Sequence, residues 1–427
     1  MPTVSTPPRF RSHELPGGIR LAINSNRKLK TILCKVYLAA DLDETVTARA
    51  LLPLVLRRGT RRLPSMQAIH RHLESLYGAS VSTQVFKVGE WHVSSYRLEV
   101  VNDRFLPATD GLFVSGIEFL RELLGDPHVE NESFRPEWVA QEKDALRRSI
   151  ESIIDDKPTY ATHRLIEEMC REEPFRLHEQ GRVEDLDAIT PQSLWKSYKR
   201  WMATVPMVVY IAGDVDEDAV RAIVERELRI DRQATEPLKP IPPAVAPPSS
   251  PRRIEEKLEV KQARLVLGLR HGITYRDPDY EALLVMNGVL GGFGHSKLFQ
   301  NVREKASLAY SASSWTERTK GLLVISCGIA AENEPKASRI ILEQVDAVKA
   351  GDITDEEMEA TISTLINHNL MLEDNYSNLA AADYIWSLHG RELDLEAFRE
   401  RVRAVTKDDV ARVAQRLVHD TTYFLHG

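Results

Sequence analysis

Arg303 and Tyr310 are the two side chains whose types and spacing could act together on a substrate. Arg303 lies near the end of a predicted helix and Tyr310 begins the strand that follows it, so both could reach one surface. A guanidinium and a phenol donate hydrogen bonds to carbonyl oxygens and can stabilise developing negative charge. A structural role for both is also possible, because an arginine interacts favourably with a helix end and a tyrosine is often half-buried.

The thirteen histidines do not form a zinc motif on any predicted helix. Such a site needs two histidines four residues apart, because one helical turn brings their ring nitrogens together. No two histidines have that spacing, so both HExxH and HxxEH are absent. Three histidines have a glutamate four residues later, which is common on solvated helices and is not predicted to bind metal: His70 with Glu74, His128 with Glu132, and His163 with Glu167.

The glycine-rich stretch Gly288–Lys297 (GVLGGFGHSK) is not predicted to bind a nucleotide. It follows a helix rather than a strand, and it lacks the GxxxxGK[ST] and GxGxxG spacings. A tight turn between two helices, in which glycines supply positive φ angles, is the simpler explanation. The GxSxG motif of serine hydrolases is also absent.

The chain contains an internal repeat in which residues 33–94 match residues 265–326. A single shift of 232 positions, which moves Leu33 onto Leu265, aligns the two windows without a gap. Identical residues meet across the whole window: Leu33 and Leu265, Ala50 and Ala282, Gly59 and Gly291, Arg71 and Arg303, Gly89 and Gly321. In each copy the pattern predicts a buried strand, an apolar helix, a second helix and a strand pair.

We therefore predict an α+β fold of two tandem homologous lobes, each with a mostly antiparallel sheet and several helices, that form a bilobed shell. The N-terminal lobe is predicted to span residues 1–232 and the C-terminal lobe residues 252–427. Residues 233–251 are dense in proline and are predicted to form an extended linker. Residues 1–18 are predicted to be an arm outside the fold. A cleft between two lobes is a common place for a ligand.

Composition excludes several other classes of protein. The net charge is −7 and no basic block is present, so a nucleic-acid surface is not expected. The three cysteines lie far apart in the sequence, which argues against a disulfide framework and fits a reducing cytosol. Neither a signal peptide nor an apolar run long enough to span a membrane is visible, so we predict a cytoplasmic protein.

The stretch LGGFGHSKLFQNVREKASLAYSASS at residues 290–314 resembles the C-terminal-half signature of the M16 peptidase family. That family includes insulinase, pitrilysin and the mitochondrial processing peptidases. In its signature a glycine-rich turn leads to an arginine, and a tyrosine follows seven residues later, as Arg303 and Tyr310 do here. The repeat, the size of the halves and the linker extend the resemblance to nearly the whole chain. It implies that Arg303 and Tyr310 hold the substrate backbone near the scissile bond, across a cleft from zinc.

The sequence departs from the M16 family at the zinc motif. Counting back from Gly59-Thr60, the family's HxxEH falls where this chain has Ala50, Pro53 and Leu54. Glu142, on a long predicted helix, is the candidate counterpart of the family's third zinc ligand, but alone it could not hold the ion. The resemblance therefore implies a chain that binds no metal and hydrolyses no peptide by itself.

The resemblance is greatest to the non-catalytic subunits of two-chain bacterial M16 enzymes, including proteins labelled as associated with elongation factor P modification. It implies a heterodimer in which a homologous chain carries HxxEH and zinc, while this chain supplies Arg303 and Tyr310 to bind the peptide substrate. Three alternatives stay open, and one of them is an unrelated enzyme that uses another site. The chain could be a structural or assembly subunit without a chemical role, or a peptide-binding module that works as a homodimer.

Overall fold

The computed structural model describes residues 9–107, 111–233, 235–242 and 245–427, which divide into two compact units. Unit 1 is drawn from residues 1–151, 177–240 and 375–383. Unit 2 is drawn from residues 152–176, 241–374 and 384–427. Each unit combines a mainly antiparallel sheet with several helices, so the predicted α+β class is confirmed.

Unit 1 is built on one large sheet. The strands of unit 1 are β1 (Arg11–Leu15), β2 (Ile19–Ser25), β3 (Thr31–Asp41), β4 (Ser80–Val88), β5 (Trp91–Val101), β6 (Val129–Glu130), β7 (Ser133–Phe134) and β8 (Met207–Gly213). Six of them form the sheet in the order β1-β2-β8-β3-β5-β4, and β6 pairs with β7. Only β2 and β8 run parallel in this sheet.

The helices of unit 1 are α1 (Val46–Leu56), α2 (Met66–Ser75), α3 (Leu112–Gly125), α4 (Pro136–Glu151), α6 (Val183–Leu186), α7 (Pro191–Thr204) and α8 (Glu217–Glu227). The sequence marks the start of some of them with a capping side chain, whereas α1, α3 and α6 begin without one. Ser65 caps α2 through its side chain. Thr190 and Ser193 form a reciprocal capping box at the start of α7, and Pro191 occupies the first turn, where its missing N–H is not needed.

Unit 2 contains a five-stranded sheet. Its strands are β9 (Arg252–Lys257), β10 (Ala263–Arg270), β11 (Ala309–Glu317), β12 (Leu322–Ile329) and β13 (Val418–His426), in the order β11-β12-β10-β13-β9. Only β9 and β13 are parallel. The strand order and directions are those of β4-β5-β3-β8-β2 in unit 1, so the repeat seen in the sequence is also a repeat of topology.

The helices of unit 2 include one from the first half of the sequence. That helix is α5 (Lys157–Met169), whose Ala161 and Leu165 pack against Val266 and Tyr423 of the unit 2 sheet. The later helices are α9 (Tyr280–Asn287), α10 (Glu334–Lys349), α11 (Asp355–Asp374), α12 (Tyr376–Leu388), α13 (Leu395–Arg403) and α14 (Lys407–Ala414). The first residues of α12, up to Asp383, belong to unit 1.

The strand registers show that the repeat is not free of gaps. Leu33 of β3 lies opposite Glu99 of β5. A uniform shift of 232 positions predicts Leu265 opposite Ala331, but Leu265 pairs with Cys327 instead. Unit 2 therefore reaches the same pairing with four fewer residues between the two strands. Connections tolerate such changes of length because they lie outside the ladder that fixes the core.

The prediction that residues 1–18 form an arm outside the fold is wrong for Arg11–Leu15, while residues 1–8 lie outside the described part of the chain. Arg11–Leu15 forms β1, which pairs antiparallel with β2. Gly17 and Gly18 both have positive φ angles and make the tight turn between these strands possible. The polar side chains of β1 do not signal a buried strand, because β1 lies at an edge of the sheet.

Candidate functional site

Arg303 lies on a π-helical segment rather than on an ordinary α-helix. The helix α9 continues into one π-helical segment, Gly288–Gly292, and a second one, Phe299–Lys305, carries Arg303. The Arg303 guanidinium lies 4.5 Å from the centre of the Phe299 ring, and its Nε is 3.5 Å from a Glu304 carboxylate oxygen. Its side chain is 40% exposed. π-helical turns are rare and often occur at functional sites.

Tyr310 sits at a β-bulge at the start of β11. Ala309 pairs with Ile329 and Ser311 pairs with Gly328, so Tyr310 has no opposite residue on β12. A bulge changes the direction of a side chain and interrupts pairing at a sheet edge. Tyr310 is 79% exposed, which is the largest value among the large apolar and aromatic residues of the described chain.

The short connection between Arg303 and Tyr310 is tied back to the π-helical segment. The Ser307 amide donates to the Arg303 carbonyl at 3.1 Å, and the Leu308 amide donates to the Val302 carbonyl at 3.1 Å. Ser307 has a φ of +52°, a conformation that non-glycine residues adopt only where the surrounding structure requires it. These bonds fix the spacing of the arginine and the tyrosine, so the structure holds the two predicted residues on one connected segment.

Three of the four glycines before Arg303, Gly288, Gly291 and Gly292, are needed for close packing, and the predicted explanation by positive φ angles is wrong. Gly288, Gly291, Gly292 and Gly294 are absent from the glycines with positive φ among the described residues. A Cβ at Gly291 would lie 2.5 Å from the Ser314 hydroxyl and 2.8 Å from the Ser314 amide nitrogen. The missing side chain therefore lets the helix approach β11, the strand that bears Tyr310.

Gly291→Ala is expected to destabilise the protein by about 1–3 kcal/mol, because the added methyl group must displace β11 backbone or distort the helix. Gly294→Ala is the matched control, since a Cβ at that position meets no atom within 4 Å. It should change the free energy of unfolding by less than about 0.5 kcal/mol. Urea unfolding followed by circular dichroism measures both. Equal stability of the two variants would contradict the close-packing explanation.

The residues at the predicted zinc-motif positions lie on α1 and cannot bind metal. Ala50 is 2% exposed and Pro53 is also buried, while Leu54 packs half-buried against the same core. None of the three side chains carries a nitrogen or oxygen ligand. Pro53 lies inside the helix and removes one backbone hydrogen bond, yet α1 continues to Leu56.

Glu142, the predicted counterpart of the third zinc ligand, forms an ion pair with an arginine. It is buried on α4, which packs against α1. The Arg58 Nε donates a hydrogen bond to the Glu142 carboxylate. A guanidinium thus stands beside the carboxylate, where it would compete with any metal cation. The residues present do not fit a zinc ion, and among the described residues no group of three or more His, Cys, Asp or Glu side chains could hold one.

Two features of this region were not predicted from the sequence. One is the bulge that exposes Tyr310, for which the serine-rich strand after it gives no signal. The other is the Arg58–Glu142 pair, whose members are 84 residues apart.

Among the helices of the described residues, none combines the length and the apolar character that a membrane span requires.

Comparisons with known proteins give one consistent family. The profile of the family described as "Peptidase M16 inactive domain" matches residues 188–365. The "Probable inactive metalloprotease YmfF" of Bacillus subtilis is 38% identical to this chain over 413 residues, which cover 96% of each protein. This similarity extends over almost the full length of both chains, including the region of α1 and the region of Arg303.

Solved structures of similar proteins share the fold. A conserved protein from Enterococcus faecalis V583 superposes with a TM-score of 0.91 at 29% sequence identity, covering 98% of this chain and 99% of that one. A structure described as the peptidase M16 inactive domain from Pseudomonas fluorescens gives a TM-score of 0.79 at 17% identity, over 98% of each chain. At that lower identity the second similarity concerns the fold alone.

Proposed function

The chain belongs to the M16 peptidase family as an inactive, metalloprotease-like member, and we propose that it is the zinc-free subunit of a two-chain M16-type peptidase in the cytoplasm. In this proposal a homologous partner carries HxxEH and zinc. Arg303 and Tyr310 of this chain bind the backbone of the peptide substrate at the partner's site. This chain contributes positioning of the substrate and no metal ligand.

The exposure of Tyr310 is the observation that supports this proposal most strongly. A structural tyrosine would bury most of its ring, because aromatic burial is a large source of stability. Tyr310 instead presents its ring and hydroxyl to solvent from a bulge, beside a segment that carries a partly exposed arginine. This exposure leaves the phenol hydroxyl and the ring accessible to a ligand.

The chemistry expected of the pair follows from its donors. The Tyr310 hydroxyl and the Arg303 guanidinium can each donate hydrogen bonds to carbonyl oxygens of an extended peptide. These bonds strengthen when a carbonyl oxygen gains negative charge during hydrolysis, so they stabilise the transition state more than the bound substrate. The guanidinium is held against the Phe299 ring, which reduces the conformational entropy lost on binding.

Native mass spectrometry of the tagged chain, purified from its own cells, is expected to show a complex with a second chain of similar size. One zinc ion per complex should remain with that second chain after the two are separated, and none with this chain. The chain expressed alone serves as the control and should carry no stoichiometric zinc. A homodimer without a second type of chain, or zinc that stays with this chain, would contradict the proposal.

A further inference from the structure

An open surface cavity of about 640 Å³ in unit 2 is lined by three arginines. It lies between the loop before α9, the end of α12 and the helix α13. Its charged lining residues are Arg276, Arg391, Arg401, Asp277 and Glu281. The cavity has no lining residue in common with the π-helical segment of Arg303 or with β11.

Two of the guanidinium groups are fixed by contacts that leave donors available. The Arg276 Nε donates to the His389 carbonyl at 2.8 Å. The Arg391 guanidinium lies 4.6 Å from the centre of the Trp386 ring and also donates to the Tyr275 carbonyl. An arginine has five N–H donors, so each of these side chains can still bind an oxyanion. Stacking on an aromatic ring orients the planar guanidinium before any ligand arrives.

The third arginine and the carboxylates give the cavity a positive charge. The Arg401 Nε donates to Glu281 at 2.8 Å, and Glu281 is only 5% exposed. Asp277 is 3.6 Å from Arg416, a further cation outside the lining. Burial lowers the pKa of His389 to about 4, so its ring is neutral at neutral pH. Three arginines against two carboxylates leave one net positive charge among the lining residues, and Arg416 adds none, because it is also 3.7 Å from Asp279.

We propose that this cavity binds a small phosphorylated molecule through Arg276, Arg391 and Arg401. A phosphate group has three oxygens that point in different directions, and it can therefore accept hydrogen bonds from arginines on several walls. A carboxylate has only two oxygens, which lie in one plane, and it can therefore accept hydrogen bonds from fewer of these arginines. The cavity is also larger than a phosphate group and opens to solvent, so the remainder of a ligand can extend beyond the arginines.

Isothermal titration calorimetry of the full chain with pyrophosphate is expected to show saturable binding of one molecule per chain at about 0.15 M ionic strength. Arg276→Gln should weaken this binding about tenfold or more, because a charge-assisted bond is lost. Arg276→Lys should recover part of the affinity, since it restores the charge but not the fork-shaped set of donors. Arg276 is exposed, so both variants should fold, as circular dichroism can verify.

Arg339→Gln is the matched control, because Arg339 is a 68% exposed arginine of unit 2 on α10, outside the cavity lining. It should leave the affinity for pyrophosphate unchanged. Three results would overturn the proposal: no saturable binding up to about 10 mM pyrophosphate, equal affinity of Arg276→Gln and the unmodified chain, or citrate binding as tightly as pyrophosphate. The last result would show that any polyanion is accepted and that the site does not select phosphate.

Discussion

Tyr310→Phe is expected to lower kcat/KM of the proposed two-chain complex by about 10²-fold while the complex stays intact. The substitution keeps the ring and removes only the hydroxyl. Loss of one donor to an oxygen that becomes charged in the transition state typically reduces the rate by about 10²–10³-fold. Tyr310 is 79% exposed, so no core contact is changed. Cleavage of a fluorogenic peptide that the unmodified complex hydrolyses gives the measurement.

Arg303→Gln should produce a loss of similar size, and the double variant should be little worse than either single one. Residues that act together on one substrate group show this lack of additivity, because the first substitution already removes most of the benefit of the second. The internal repeat supplies the control. Arg71 is the repeat equivalent of Arg303, but Gly78 stands at the position of Tyr310. Arg71→Gln should therefore leave the activity unchanged.

Unchanged kcat/KM in both Tyr310→Phe and Arg303→Gln would favour the structural or assembly role over the proposed one. That outcome can be separated from failure to assemble. Native mass spectrometry of each variant complex reports whether the partner is still bound. A variant that binds its partner and has lost activity supports a contribution of this chain to catalysis. A complex that falls apart would instead mean that the substituted residue maintains the interface.

The sequence was sufficient to predict the class of fold and the main elements of both sheets. The nearly continuous apolar residues of β3 and β10 are typical of buried strands. Thr190 and Pro191 mark the start of α7, because threonine caps a helix and proline is tolerated in its first turn. The repeat strengthened the prediction of each element, because a strand or helix predicted in one half has an equivalent at the matching position of the other half. The local sequence patterns and the topology agree, as expected for a sequence in which local preferences and the overall fold favour the same structure.

Contacts between residues far apart in the sequence could not be predicted from local sequence patterns. The periodicity of α5 predicts a helix but does not say that its apolar face packs on β10 and β13. Nothing in the spacing of Arg58 and Glu142 indicates that they meet. The bulge at Tyr310 is a change of register by one residue, which depends on how β11 and β12 pair rather than on the composition of either strand.

A buried ion network supports the hairpin that carries Tyr310. Glu173 is 2.9 Å from the Nη1 of Arg270 on β10 and 2.8 Å from the Nζ of Lys320 in the turn between β11 and β12. Arg270 also lies 2.6 Å from Asp420 on β13. Burial alone would raise the pKa of Asp420, but hydrogen bonds from Thr421, Arg252 and Arg270 hold it below its ordinary value. The network therefore joins three parts of the sheet to the segment after α5.

Glu173→Gln is expected to destabilise the protein by about 3–5 kcal/mol, because it removes one partner of a buried ion pair and leaves the other without compensation. Arg270 keeps Asp420, so Lys320, whose side chain is fully buried, should account for most of the loss. Urea unfolding is the measurement, and Glu172→Gln is the control, since Glu172 is the exposed neighbour and should lose less than about 0.5 kcal/mol.

The double variant Glu173→Gln/Lys320→Met decides whether charge or shape is responsible. Replacing a buried ion pair by apolar groups is often neutral, so the added methionine should recover most of the stability lost in the single variant. Recovery would assign the effect to the uncompensated ammonium group. A double variant as unstable as the single one would show that the packing of residues 170–176 matters more than their charge. In either case the activity of the complex should fall only at temperatures where unit 2 unfolds, because Tyr310 itself is unchanged.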